Sequence, residues 1–114
     1  MSTQKYLFIY HMPKGAPAGP RSPEEIQAML GRWHAWKEKF QQEVVDFGDG
    51  LKPGGKQLID GVVTDGPYPE SKDVVGGYSI VAAGSYEQAL VVARGCPFAA
   101  VSGGRIELRE LAGH

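Results

Sequence analysis

Thr64-Asp65-Gly66-Pro67-Tyr68-Pro69-Glu70-Ser71-Lys72-Asp73-Val74-Val75-Gly76-Gly77-Tyr78 opens as a turn and closes as a strand. Gly66-Pro67 punctuates the backbone, and Pro69 keeps the neighbouring residues out of a helix. Asp65, Glu70, Lys72 and Asp73 place four charges in nine residues. Glycine inside a strand weakens it, so Gly76-Gly77 at the head of an apolar run implies a bulge or a close approach of another backbone or a ligand. A hairpin needs only about 2–5 loop residues, and this connection is longer. A charged, proline-stiffened loop between two strands is where a binding or catalytic site is expected; its plainer reading is a stiff surface loop.

Outward from this loop the chain is nearly symmetrical. Lys56–Thr64 before it is strand-like, with Gly61 at a bulge or bend. Val74–Ala83 after it is a strand with Tyr78, Ile80 and Ala82 on one face. Each strand has a helix beyond it. Ser22-Pro23-Glu24-Glu25 is a capping box with proline at the first helical position. The spacing of Ile26, Leu30, Trp33, Lys37, Phe40 and Val44 predicts a helix from Pro23 to about Asp46, ended by Gly48 and Gly50. Ser85-Tyr86-Glu87-Gln88 starts a second helix, with Tyr86, Ala89, Leu90 and Ala93 on its apolar side, Gly95 as its cap and Pro97 barring continuation.

The outermost segments are again strands. Lys5–Tyr10 is aromatic and β-branched on both faces, so it belongs at the centre of a sheet. Arg105–Leu111 alternates polar and apolar residues and suits an edge. His11–Arg21 is a proline- and glycine-rich loop. The order strand, helix, strand, strand, helix, strand predicts an α+β, ferredoxin-like βαββαβ fold with an antiparallel sheet and both helices on one face. Tyr6, Phe8, Tyr10 and Tyr78 then call for a cover on the other face. The expected cover is a second copy, giving a homodimer with sheets face to face in a barrel-like assembly.

The whole chain, residues 1–114, has the size of one domain. A formal charge of -1 argues against nucleic acid as a partner. No run approaches the roughly 20 apolar residues of a membrane helix. Met1–Lys5 leads straight into a strand without a signal-peptide pattern, and Cys96 is the only cysteine. The expectation is a cytoplasmic protein. No P-loop, dinucleotide fingerprint or metal-ligand spacing is present, so neither cofactor nor metal is expected.

Of three histidines, His34 lies at the border of the first helix's apolar stripe, where it can face a cleft and move protons near neutral pH. The alternative is a half-buried, hydrogen-bonded histidine. His11 closes the first strand and either lines the mouth of the same cleft or is a plain loop residue. His114 is terminal. Asp65 either bonds the backbone ahead of it as an Asx-turn or orients a histidine. Arg32, Lys37 and Lys72 are available to anions or are surface charge. Trp33 and Trp36 line either a pocket or the core, and Cys96 is read as packing.

Asp65-Gly66-Pro67-Tyr68 with Val75-Gly76-Gly77-Tyr78, continued through Ser85–Ala89 and Cys96-Pro97, resembles the YCII-related family in its DGPF-domain branch. Tyr68 stands where the DGPF name has phenylalanine. The resemblance implies a dimeric, ferredoxin-like α/β-barrel and a histidine–aspartate pair as candidate active site; one relative removes chloride from a small oxygenated aromatic. His34 matches the family's helix-one histidine and Asp65 the motif aspartate. The expected function is a cofactor-independent elimination or isomerisation of a small polar or aromatic molecule by His34 and Asp65, with Tyr10, His11, Trp33, Tyr68 and Tyr78 around the substrate. The alternative is a non-catalytic dimeric ligand-binding or accessory module.

Overall fold

The computed structural model describes residues 3–15, 22–65 and 73–113. Tyr68, Lys72, His114 and the connection 66–72 lie outside the described residues. The elements are β1 (Gln4–Pro13), α1 (Pro23–Lys39), β2 (Val44–Gly50), β3 (Lys56–Ile59), β4 (Val62–Asp65), β5 (Asp73–Ala83), α2 (Tyr86–Arg94), a 3₁₀ turn (Pro97–Ala100) and β6 (Arg105–Glu110). Four strands form one antiparallel sheet in the order β2-β5-β1-β6. With α1 and α2 packed on it, the arrangement is α+β and compatible with a ferredoxin-like fold. β1 is central and β6 is an edge, as their patterns require.

The serine half of each expected capping box forms, and the Gln88 side chain takes the Gly84 N–H at 2.8 Å. The Glu25 N–H donates to Ser22 Oγ at 3.1 Å, and the Gln88 N–H to Ser85 Oγ at 3.2 Å. The end of α1 differs from the expectation. The helix stops at Lys39, and a turn through Phe40–Glu43 is closed by the Glu43 and Val44 N–H groups donating to the Phe40 carbonyl. Val44–Gly50 is then a strand, so Gly48 and Gly50 belong to a strand and stop no helix. β-Branched Val44 and Val45 favour that outcome. The inward face of α1 is Met29, Trp33, Trp36 and Phe40, whereas Ile26 and Leu30 are exposed.

Lys56–Thr64 is not a strand of the main sheet. It folds on itself as the hairpin β3–β4, with Lys56 paired to Asp65 and Ile59 to Val62. Asp60 and Gly61 both have positive φ, 50° and 80°. That is the geometry of a two-residue hairpin turn whose twist suits the flanking strands. Leu58, Val62 and Val63 on this hairpin are exposed.

The core lies between the sheet and the helices. Tyr6, Phe8 and Tyr10 of β1 and Val81 and Ala83 of β5 meet Trp36, Ala89, Val92, Ala93 and Cys96. Tyr6, Phe8 and Tyr10 are therefore covered within the chain, and they are not the face in need of a partner. Tyr10 Oη–H donates to Ser79 Oγ at 2.7 Å, and Ser79 Oγ–H donates to the Phe47 carbonyl at 2.7 Å. Burial pushes the Tyr10 hydroxyl well above its ordinary value. The opposite face carries Leu7, Ile9, Tyr78, Ile80 and Ala82, half-buried and without a covering element among the described residues.

Both reasons suspected for Gly76-Gly77 are met. The β1–β5 register shifts opposite Gly76, with Tyr10 paired to Gly77 and His11 to Val75. A Cβ on Gly77 would stand 2.8 Å from the Asp49 carbonyl oxygen and 3.3 Å from Gly50 Cα. Gly77→Ala should therefore push β2 off β5 and cost about 1–3 kcal/mol, as overpacking does. A urea midpoint lowered at constant slope would bear this out, and an unchanged midpoint would refute the close approach.

Candidate functional site

β1 and β6 bring together two residues 96 apart in sequence. Tyr10 pairs with Ile106 and His11 with Arg105, so alternation puts His11, Arg105, Glu107 and Arg109 on the face of the sheet away from the helices, which no described element covers. There His11 Nε2–H donates to Glu107 Oε1 at 2.8 Å. The His11 side chain is 13 % exposed and that of Glu107 33 %. Arg109 Nη1 lies 3.5 Å from Glu107 Oε2, and Arg105 Nε donates to Asp73 Oδ2 at 2.9 Å. The hydrogen bond from His11, aided by Arg109, holds the Glu107 carboxyl below its ordinary range.

This arrangement has the parts of an acid–base centre. Glu107 engages Nε2, fixes the ring and favours the tautomer that carries its proton there. In that tautomer Nδ1 is the acceptor nitrogen of the ring. The imidazolium that would form is stabilised by the carboxylate beside it. Leu7, Ile9 and Tyr78 supply an apolar floor next to the pair. Glu107 is not among the residues that the sequence singles out. Its only trace there is the alternation of Arg105–Leu111, which, with the central place of β1, puts the acidic residue on one face with His11.

The other expected residues are spread over three parts of the fold. Tyr10 and Trp33 meet edge to face, with ring centroids 5.5 Å apart, but under the helices and within the core. Tyr78 pairs with Ile9 and lies on the opposite face. His34 is exposed on α1, its ring centroid 5.9 Å from that of Phe47. Asp65 ends β4 and accepts from Lys56 Nζ at 2.6 Å, both side chains being exposed. Among the described residues Asp65 is bonded to Lys56 and not to His34. Lys37 Nζ sits 5.2 Å from the Phe47 ring centroid, a cation–π contact. Cys96 is buried, with Sγ 3.7 Å from Tyr10 Oη. A shallow groove of about 540 Å³ runs between Thr3, Phe40, Gln42, Gln88 and Val92, and none of these histidines lines it.

Residues 6–112 match the family model described as the YCII-related domain, nearly the whole chain. The chain belongs to the YCII-related family. No curated protein matches it. In this YCII-related chain the match spans both strands that hold the pair, β1 from Tyr6 onward and all of β6. It also spans His34 and Asp65. Among the described residues no group of three or more His, Cys, Asp or Glu is placed to hold a metal ion. Nor is any described helix long and apolar enough to cross a membrane.

The pair also has a consequence for acid stability. A carboxyl whose folded value is depressed stabilises the fold above its unfolded value, and that contribution is lost as the pH falls through the folded one. For Glu107 the loss begins below about 4.5. Glu107→Gln should therefore flatten the acid limb of a plot of thermal midpoint against pH, taken from about pH 7 to about pH 3. Superimposable acid limbs for the two proteins would contradict the hydrogen bond.

Proposed function

We propose that this protein is a cofactor-independent acid–base enzyme acting on a small polar or aromatic molecule, by elimination or isomerisation, at the uncovered sheet face. The observation that carries this reading is the 2.8 Å His11–Glu107 hydrogen bond on that face. His11 removes the substrate proton through Nδ1 and returns it to the product or leaving group. Glu107 orients the ring and balances its charge. Tyr78 and Ile9 hold the apolar part of the substrate. The working unit is a cytoplasmic homodimer of the DGPF-type branch, Tyr68 taking the aromatic place in that motif.

The pair suggested by the resemblance, His34 with Asp65, is the competing assignment. Membership of the family favours it, and the exposure of both side chains leaves them accessible. A non-catalytic ligand-binding module is the second reading. It is favoured by the way His11 and Glu107 satisfy one another, as a structural pair would. One experiment separates the three. The protein is incubated with a panel of hydroxylated aromatics and lactones, beside His11→Gln, His34→Ala and Asp65→Asn. Turnover lost only in His11→Gln supports the sheet-face site. Turnover lost in His34→Ala and Asp65→Asn but kept in His11→Gln moves the chemistry to the competing pair. Binding without turnover leaves the module.

A further inference from the structure

Charge is unevenly matched where β1 meets β6 on the face of His11. The register sets Lys5 beside Leu111, Leu7 with Arg109, Ile9 with Glu107 and His11 with Arg105. Each carboxylate in this area has a partner. Asp73 Oδ2 takes the Arg105 Nε–H at 2.9 Å, and Glu107 Oε1 takes the His11 Nε2–H at 2.8 Å. Glu110 pairs with Tyr6, so alternation turns it to the helix side. Asp46 and Asp49 lie on β2, three strands from β6, roughly 14 Å at the usual strand spacing.

Two cations are left over. Lys5 is exposed and forms no ion pair among the described residues. Arg109 is 69 % exposed, and its guanidinium makes one long contact, 3.5 Å from Nη1 to Glu107 Oε2. That leaves most of its N–H donors facing solvent. Lys5 and Arg109 are diagonal neighbours on paired strands, about 7–8 Å apart, a gap that long side chains span. Leu7 lies beside both. The result is a doubly positive corner with an apolar floor, next to Ile9 and the His11–Glu107 pair.

Resting on the reading of this face as the site, we infer that its substrate carries a carboxylate, bound by Arg109 and Lys5 over Leu7 while the proton to be removed lies at His11. A guanidinium presents parallel N–H groups that match the two oxygens of a carboxylate, and such charge-assisted bonds are strong. The charge count favours a monoanion over a phosphate. Asp73 neutralises Arg105, so Arg109 and Lys5 together exceed Glu107 by one positive charge. A phosphate dianion would leave the corner negative. The spacing agrees. His11 and Arg109 contact the two oxygens of one carboxylate, that of Glu107, so imidazole and guanidinium stand about a small ring's width apart. Ile9 and Tyr78, paired with one another, meet the ring itself. The substrate carboxylate anchors the molecule and takes no part in the proton transfer. Arg109 is then a specificity residue, selecting acids over their neutral analogues.

Matched acids and amides test this. Hydroxybenzoates and lactone carboxylates are titrated beside the corresponding carboxamides, with affinity read from backbone amide shifts by NMR. The acids should bind at least about tenfold more tightly, the scale of one hydrogen bond to a charged group. Arg109→Gln should remove most of that preference and leave the affinity for the amides unchanged. Lys5→Gln should reduce the preference by less. Both side chains are exposed, so neither substitution disturbs the packing. Amides that bind as tightly as acids overturn the inference. So does a preference unchanged in either variant, or binding of neither series. The readout is affinity and does not involve catalysis. An acid preference set by Arg109, with no turnover of any acid, would refute the proposed function only. Turnover of neutral molecules that His11→Gln abolishes, without an acid preference, would refute this inference only.

Discussion

His11→Gln should lower turnover by about 10²–10⁴-fold, the range that a general base contributes, while the urea midpoint stays close to that of the parent. Glutamine can still donate a hydrogen bond to Glu107 from a similar position, so the sheet face keeps its local contact. It cannot take up and release a proton near neutral pH, which is the property that the imidazole supplies. The two effects are therefore separable in one variant. Glu107→Gln should be milder in turnover, since the ring stays in place and loses only the charge that orients it and stabilises its protonated form. A His11→Gln protein that turns over substrate at the parental rate would remove the residue from the chemistry, whatever its geometry.

Trp36→Ala should be the most damaging change to the fold, at about 3–5 kcal/mol. Trp36 is 3 % exposed and joins the two helices. Its Nε1–H donates to the Val92 carbonyl at 2.9 Å, and its ring meets those of Trp33 and Phe47. Alanine would leave a cavity between α1 and the sheet and strand a buried carbonyl. Set against a usual stability of about 5–15 kcal/mol, such a loss consumes much of the margin. Trp36→Phe should keep most of the packing and lose about 1–2 kcal/mol, largely the hydrogen bond. Urea midpoints for the two variants would show the difference. Equal losses would mean that the bond to Val92 matters more than the volume of the ring.

Some of this was legible in the sequence because local chemistry decides it. Ser22 and Ser85 cap their helices through short-range hydrogen bonds, and Lys5–Tyr10 is too apolar on both faces for any place but the centre of a sheet. The boundary of α1 was not legible, because Phe40 and Val44 continue the helical spacing of Trp33 and Lys37. Only the pairing of Val44–Gly50 with β5 makes that segment a strand. The hairpin β3–β4 had a readable signal, Asp60-Gly61 between aliphatic runs, which is a two-residue turn dipeptide. The face assignment of Tyr6, Phe8 and Tyr10 depended on which side the helices take, and alternation alone does not choose a side.

The candidate site was less legible than the fold. Tyr10 and Trp33 do come together, and Tyr78 belongs to the other face. The sequence reads His11 as the mouth of a helix-side cleft or as a loop residue, whereas it lies within β1 on the other face, and its partner Glu107 depends on the antiparallel register of two strands at opposite ends of the chain. No spacing rule connects positions so far apart. Asp65 stands out by its place in a motif, and the hairpin directs it to Lys56.

The central claim is that small molecules bind on the uncovered sheet face around His11 and Glu107. Its most direct test is to titrate the protein with the hydroxylated aromatic and lactone panel while recording backbone amide shifts by NMR. The shifts should cluster on His11, Tyr78, Glu107 and Arg109 and their strand neighbours. Shifts clustered instead on His34 and Phe47, or along the groove between Phe40 and Val92, would contradict it.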